Sequence, residues 1–281
     1  MQEVFVVTGG NKGIGLETTR LLAERFPEAI VLLGTRSVAN GHAAIAQLRA
    51  EHPSHTYANI RTLYINVASA SSVEAAAEYV ALQYGRVDGL VQNAGVVGDA
   101  SFDVNLFGID AVFDAFRPLL AKATQLTGSP AMHVIVSSEF AAWTTHAMTA
   151  ALQEKLAAFA SWKPQEAKAL ALDYMAFQHG ETSRYAWPAA SLTRGRYGIS
   201  KALGLALGRI WAGEFREICT VSVCPGYCDT TMNVDYTGAR SAEDGAKSVL
   251  FPILHPTKVQ SGLFYQDGKV HPWACTNPFG P

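Results

Sequence analysis

Short apolar runs and helix-period stretches alternate along the chain. Val4 to Val7 is a buried-strand pattern, closed by Thr8-Gly9-Gly10, and Lys12 to Arg25 follows as a helix with Leu16, Thr19, Leu22 and Ala23 on one side. The same pairing repeats as Ala29 to Leu33 with Ala39 to Glu51, and as Arg61 to Val67 with Ser71 to Gln83, where Ser71 or Ser72 is the expected N-cap. Asp88 to Val91 and His133 to Val136 flank a long helix, Asn105 to Leu126, bent near Pro118. Val221 to Cys224 and Gly262 to Tyr265 are the last strands. Strands alternating with helices imply βαβ crossovers and a parallel sheet covered on both faces. The expected fold class is therefore α/β: one doubly wound, Rossmann-type parallel sheet of about seven strands in a single domain spanning 1–281.

Residues 139–190 break the alternation. They are Ala-rich, with Met148, Leu152, Leu156 and Phe159 stepping by 4, 4 and 3, and Pro164 placed to open a helix carrying Leu170, Tyr174 and Phe177. This is a helical insertion into the sheet.

Composition narrows the function classes. The 281 residues carry 22 Lys+Arg against 24 Asp+Glu, a net charge of −2, which argues against nucleic-acid or membrane partners recognised by bulk charge. With 49% hydrophobic residues the chain folds into a compact body. It has no run of roughly 18 apolar residues and no cleavable leader pattern before Val4, so a cytoplasmic location is expected. Cys224 and Cys228 have metal-like spacing but lack a second ligand pair, and no metal is expected.

The chemistry concentrates where strands end. Thr8-Gly9-Gly10-Asn11-Lys12-Gly13-Ile14-Gly15 joins the first strand to the first helix, a context in which backbone N–H groups and a helix N-terminus cradle a pyrophosphate. An NAD site wants a carboxylate after the second strand; this one ends Thr35-Arg36, and Arg36, with Lys12, pairs instead with a 2′-phosphate. NADP(H) is the expected cofactor. At the end of the third strand, Asn66-Val67 offers an amide oxygen to the adenine. Tyr197 and Lys201 stand at i and i+4, one helical turn apart, where an ammonium lowers a phenol pKa toward the working range.

In the spacing of its loop, Gly9-x-x-x-Gly13-x-Gly15, and in the motifs that follow, the sequence resembles the short-chain dehydrogenase/reductase family. The resemblance runs in order through Asn93-Ala94-Gly95 (with Gln92 where the family has Asn), Asn105, Ser137-Ser138, Tyr197 with Lys201, and Pro225-Gly226 with Thr230. It implies that Tyr197 is the general acid in carbonyl reduction, that Lys201 assists it, that Ser138 holds the substrate oxygen and that Asn105 anchors a proton-relay water. It places Gly9, Asn11, Lys12, Gly13, Ile14, Gly15, Arg36, Asn66, Val67, Asn93, Ala94, Gly95, Pro225, Gly226, Cys228 and Thr230 around the cofactor. The 59-position step from Ser138 to Tyr197, Trp187-Pro188 and Ser241 to Ala246 are similar to the carbonyl-reductase branch, whose insertion covers an oligomerisation face; a monomer follows. Asn105 follows Asn93 by only 12 positions, fewer than in that branch, which implies an active site open on one side or a less enclosed cofactor.

Substrate-facing candidates by position are Glu139, Phe140, Trp143, Trp187, Tyr227 and Met232, mostly apolar, and Cys224 is a candidate exposed thiol. The expected activity is NADPH-dependent reduction of a ketone, aldehyde or quinone, a small-molecule partner. The alternatives are a silent NADP-binding regulatory protein of this fold and an NAD-dependent alcohol dehydrogenase.

Overall fold

The structure is a computed structural model in which residues 2–158, 162–230, 232 and 238–278 are described. Strand β1 (Val4–Thr8) is buried at every position, as its unbroken apolar run requires of a strand covered on both faces. It pairs in parallel with β2 (Ile30–Thr35) on one side and β4 (Gly89–Gln92) on the other. Outward from β2 lies β3 (Ile60–Tyr64), whose Arg61 and Tyr64 are exposed, as an edge position allows. Outward from β4 come β5 (Ala131–Val136), β6 (Ile218–Cys224) and β7 (Phe264–Gln266), all parallel. The order is β3-β2-β1-β4-β5-β6-β7-β8, so the chain reverses its winding direction between β1 and β4, the place where such sheets open a crevice.

The expected count of about seven strands holds for the parallel part, and β8 (Lys269–Val270) adds an antiparallel edge. The turn into it is Asp267-Gly268, both at positive φ (49° and 74°), which is the two-residue hairpin geometry that these residues favour.

Helices α1 (Gly13–Arg25), α2 (Val38–Glu51), α3 (Ala70–Tyr84), α4 (Gly108–Thr127), α9 (Arg196–Glu214) and α10 (Ala242–Leu254) cover the sheet. Leu16, Thr19, Leu22 and Ala23 of α1 are all buried. The cap of α3 is Ser69, whose hydroxyl accepts from the Ser72 N–H, rather than Ser71 or Ser72. Ser72 faces the sheet instead, its hydroxyl accepting from the Asn66 N–H at 2.9 Å. Asn105 does not begin a regular α-helix: Asp103–Phe107 form a π-helical turn that leads into α4.

The insertion consists of α5 (Glu139–Ala147), α6 (Ala150–Ala157), α7 (Pro164–Gln178) and the single turn α8 (Ala190–Thr193). Pro164 opens α7 as its fixed φ favours. Met148, Leu152, Leu156, Leu170 and Tyr174 share one hydrophobic cluster with α3, α4 and α9, while Phe177 is more than one-third exposed and Phe159 lies outside the described residues. Lys168 of α7 pairs with the buried Asp110 of α4. The insertion is packed as core, not hung on as a loop.

Candidate active site

A cleft of about 770 Å³ follows the C-terminal edges of β1, β2, β4, β5 and β6. Its glycine loop is shaped for close backbone approach. Gly9 and Gly13 sit at positive φ (65° and 53°), and a Cβ on Gly15 would press into the Gly9 carbonyl and the Asn93 amide. Asn93 donates from Nδ2 to the Thr8 and Gly9 carbonyls at 3.0 and 3.1 Å, and the Ala94 N–H donates to Thr8 Oγ1 at 3.1 Å. The side chains of Asn93 and Thr8 therefore hold the loop to the end of β4. Asn11, Lys12 and Ile14 line the cleft with the glycines. So do Arg36, Asn66, Val67 and Gly95 farther along it.

Gln92, standing before Asn93, has a packing role. Its Nε2 donates to the Ile109 carbonyl at 3.0 Å and lies 2.9 Å from His133 Nε2. His133 is wholly buried, stacked on Phe113 and beside Trp211, and burial pushes its pKa down to about 3. The neutral ring accepts at Nε2 and donates from Nδ1 to Thr220 Oγ1 at 3.2 Å, so both ring nitrogens are satisfied.

At the other end of the cleft stand Ser138, Tyr197 and Lys201. Ser138 caps α5, its Oγ accepting from the Phe140 N–H at 3.2 Å, and its hydroxyl stands close enough to the Tyr197 phenol to pull the phenol's pKa down. Tyr197 and Lys201 rise from α9 one turn apart. Gly198 lets α9 press against α5 and α8: a Cβ there would strike Thr144 Oγ1 and the Thr193 carbonyl. Close approach of α5 and α9 is what brings Ser138 to Tyr197. Lys201 Nζ donates to the Val136 carbonyl at 2.7 Å, and it lies 6.0 Å from the centroid of the Tyr197 ring.

The electrostatics differ from the expectation. Burial pushes the Tyr197 phenol above its ordinary value; the Ser138 hydroxyl and Arg194 oppose that without overcoming it. Burial pushes Lys201 down to about 8. A lowered phenol pKa, expected from the spacing, is not what the packed site has, because both groups are desolvated together. For a proton donor the direction is favourable, since the phenol keeps its proton at neutral pH.

Asn105 does not line the cleft. It sits behind Gly95, its Oδ1 accepting from the Val96 N–H at 2.9 Å and its Nδ2 donating to the Val96 carbonyl at 2.8 Å and to Ser200 Oγ at 3.1 Å. The side chain clamps the segment after β4 onto α9. Beyond it, Arg196 donates to the Asp99 carbonyl and to Gln178 Oε1, tying the short 93–105 segment to α7.

Glu139, Phe140, Trp143, Tyr227 and Met232 line the cleft, as do Pro225, Gly226, Cys228 and Thr230. Trp187 does not: its indole N–H donates to Asp173 Oδ2 at 2.8 Å and its ring packs on Tyr174 at 5.2 Å, a buried anchor for the insertion. Cys224 is buried, not exposed, and desolvation pushes its thiol up to about 12 and that of Cys228 to about 11. Neither is a reactive thiolate. Among the described residues no cluster of His, Cys, Asp or Glu is placed to hold a metal, and no helix is long and apolar enough to cross a membrane.

Among the lining residues that no sequence signal pointed to are Val104, Arg194 and Asn277. Asn277 arrives because β8 turns the C-terminal segment back, with the Cys275 N–H donating to the Ala142 carbonyl at 3.3 Å and His271 Nε2 3.8 Å from Glu139 Oε1. The Asp267-Gly268 turn was the available cue.

Doubly wound sheet, glycine loop and the Ser-Tyr-Lys cluster together define a dinucleotide-dependent oxidoreductase class of site. The chain belongs to the short chain dehydrogenase family, whose model matches residues 3–142. It is similar to the (+)-neomenthol dehydrogenase of Capsicum annuum, 27% identical with 94% of this chain and 96% of that protein covered. It is equally similar to carbonyl reductase 1 (NADPH) of Rattus norvegicus, 27% identical over 96% of this chain and 98% of that one. Among solved structures, salutaridine reductase from Papaver somniferum superposes with a TM-score of 0.79 over 94% of this chain and 99% of that chain; at 24% identity this likeness concerns the fold alone.

Proposed function

We propose that this chain is an NADPH-dependent carbonyl reductase that converts a ketone, aldehyde or quinone to the alcohol. The observation that carries the reading is the meeting of Ser138 and Tyr197 over Lys201 at the substrate end of a cleft whose opposite end presents Arg36. The names of the curated relatives, carbonyl reductase among them, support it. The glycine loop fits the pyrophosphate of a dinucleotide, because a Cβ at Gly15 would fill the space that backbone needs. Lys12, Arg36, Asn66 and Thr230 would line its path.

NADPH, when bound, supplies the hydride that goes to the carbonyl carbon. The chain's residues do the rest. Ser138 donates to the carbonyl oxygen and stabilises the charge that develops there. Tyr197 gives its phenolic proton to that oxygen, completing the alcohol. Lys201, held by the Val136 carbonyl, keeps a positive charge next to the phenol that has lost its proton. Asn105 fixes the wall behind Lys201 and is our candidate for the family's water anchor.

Purified protein is expected to oxidise NADPH in the presence of ketones, aldehydes or quinones, followed by nicotinamide absorbance, and to do so much faster than NADH. No turnover with any carbonyl would favour a silent regulatory protein, and preference for NADH would favour an alcohol dehydrogenase. Lys201 gives the pH dependence its sign. Its ammonium is present below about 8 and lost above it, so kcat/KM for reduction is expected to fall as pH rises through about 8. A profile flat to pH 10 would remove Lys201 from the mechanism. Stability moves the other way. Because the folded chain binds fewer protons than the unfolded one between about 8 and 10.5, Lys201 makes folding more favourable as pH rises across that window.

The insertion packs over α4 and α9, and we propose that the chain acts as a cytoplasmic monomer. Light scattering is expected to give a mass near 30.1 kDa, and a stable dimer or tetramer would overturn this.

A further inference from the structure

The cleft carries a second arginine at the end away from Arg36. Arg194 ends α8 in the left-handed conformation, φ +54° and ψ 36°, which is costly for a residue with a Cβ. Gly195 follows, also at positive φ, and α9 begins one residue later, with Tyr197 in its first turn. This contorted entry places the Arg194 side chain in the cleft wall. Its guanidinium carbon lies 5.6 Å from the Phe140 ring centroid and 6.0 Å from that of Tyr197.

The arginine has no acid to neutralise it among the described residues. Arg20, Arg86 and Arg240 each pair with a carboxylate, and Arg196 donates to Gln178 and Asp99; Arg194 has only the two aromatic rings. Glu139 is the one acid among the described cleft-lining residues. Its neighbours are Cys224, Cys275 and His271, and it makes no ion pair with Arg194. The cleft thus sets an unneutralised, planar guanidinium, steadied on the face of Phe140, next to the phenol that would protonate a substrate.

We infer that Arg194 binds substrate and selects carbonyl compounds that carry a carboxylate a few bonds from the carbonyl, that is, oxo acids reduced to hydroxy acids. This rests on the reductase reading above. The planar fork takes a carboxylate through two parallel hydrogen bonds, while Ser138 and Tyr197 take the carbonyl oxygen; two fixed points orient a small substrate where one does not. The apolar walls of Val104, Phe140 and Trp143 then accept the remainder of the molecule.

The test uses 2-oxo-2-phenylacetate and its methyl ester, with NADPH, on the full chain and on two variants. Arg194→Asn keeps a residue that tolerates the left-handed conformation, so the turn into α9 is preserved. Arg194→Lys keeps the charge without the fork. The native protein is expected to prefer the acid, and Arg194→Asn to lower the acid-to-ester ratio of kcat/KM about 30-fold, chiefly through KM, with Arg194→Lys intermediate. An equal fall on both substrates, or a native preference for the ester, would overturn the inference while leaving the reductase reading intact. A readout free of turnover separates the two ideas. Calorimetry of 2-hydroxy-2-phenylacetate binding to the NADP-loaded protein is expected to show tight binding in the native chain that weakens in Arg194→Asn. If that holds while no carbonyl is reduced, the anion contact stands and the reductase reading fails; if the native protein does not bind the acid, the anion contact fails.

Discussion

Replacing Tyr197 by Phe is expected to slow NADPH-driven carbonyl reduction by about 10³-fold, the usual scale for removing a positioned general acid. The substitution deletes one oxygen and leaves the ring. That ring is 8% exposed and lies edge-on to Phe140 at a centroid distance of 6.1 Å. Fold and nucleotide binding should therefore be nearly unaffected, and melting temperature and NADPH fluorescence titration are the controls. The oxygen's own neighbours are what the variant disturbs: Ser138 loses its phenol neighbour, and the carbonyl oxygen loses its proton source while keeping one hydrogen-bond donor. Kinetics should show the loss in kcat more than in KM, because the missing interaction grows as charge develops on oxygen. Turnover within tenfold of the native rate would mean that the proton comes from elsewhere, and the proposed chemistry would have to be abandoned.

Much of this arrangement was readable before any coordinates, and the reasons are physical. Val4 to Val7 had to be a doubly covered strand because no alternation marked a wet face, and β1 is buried throughout. The glycine loop was readable because a strand-to-helix turn that admits a phosphate tolerates few side chains, as the crowding around Gly15 shows. Where reading by residue type stopped short, two or more explanations fitted the same pattern. Trp187 sits near Tyr197 in sequence, yet a buried indole N–H needs an acceptor, and Asp173 on α7 provides it outside the cleft. Ser69, Ser71 and Ser72 are interchangeable caps on paper; only the path of the chain from β3 decides among them. Arg194 carried no signal because its meaning lies in a backbone conformation and in the absence of an acid, neither of which a residue pattern records. The Tyr197 pKa lies in the direction opposite to the one its spacing implies, since spacing gives the distance to Lys201 but not the burial of both groups.

Arg36 carries the second large expectation. It stands between β2 and the N-terminus of α2, where Ser37 caps the helix by accepting from the Asn40 N–H at 3.2 Å. A 2′-phosphate there would meet both the guanidinium and the positive end of a helix dipole. Arg36→Asp removes a charge-assisted contact, about 2 kcal/mol, and sets a carboxylate against the phosphate for a similar penalty, so that the NADPH-to-NADH ratio of kcat/KM should fall by about 10³-fold. The same carboxylate can accept from the two ribose hydroxyls of NADH, so the ratio should move by gain on one nucleotide as well as loss on the other. Arg36 is exposed and forms no ion pair among the described residues, so the exchange should cost the fold little, and melting temperature reads that directly. Lys12 remains in the variant as a cation at the cleft wall. The residual NADPH activity of Arg36→Asp therefore measures what Lys12 contributes, and the double variant with Lys12→Ala should remove most of it. A ratio that shifts less than threefold in Arg36→Asp would place the phosphate away from the end of β2 and would undo the cofactor assignment on which the direction of the reaction depends.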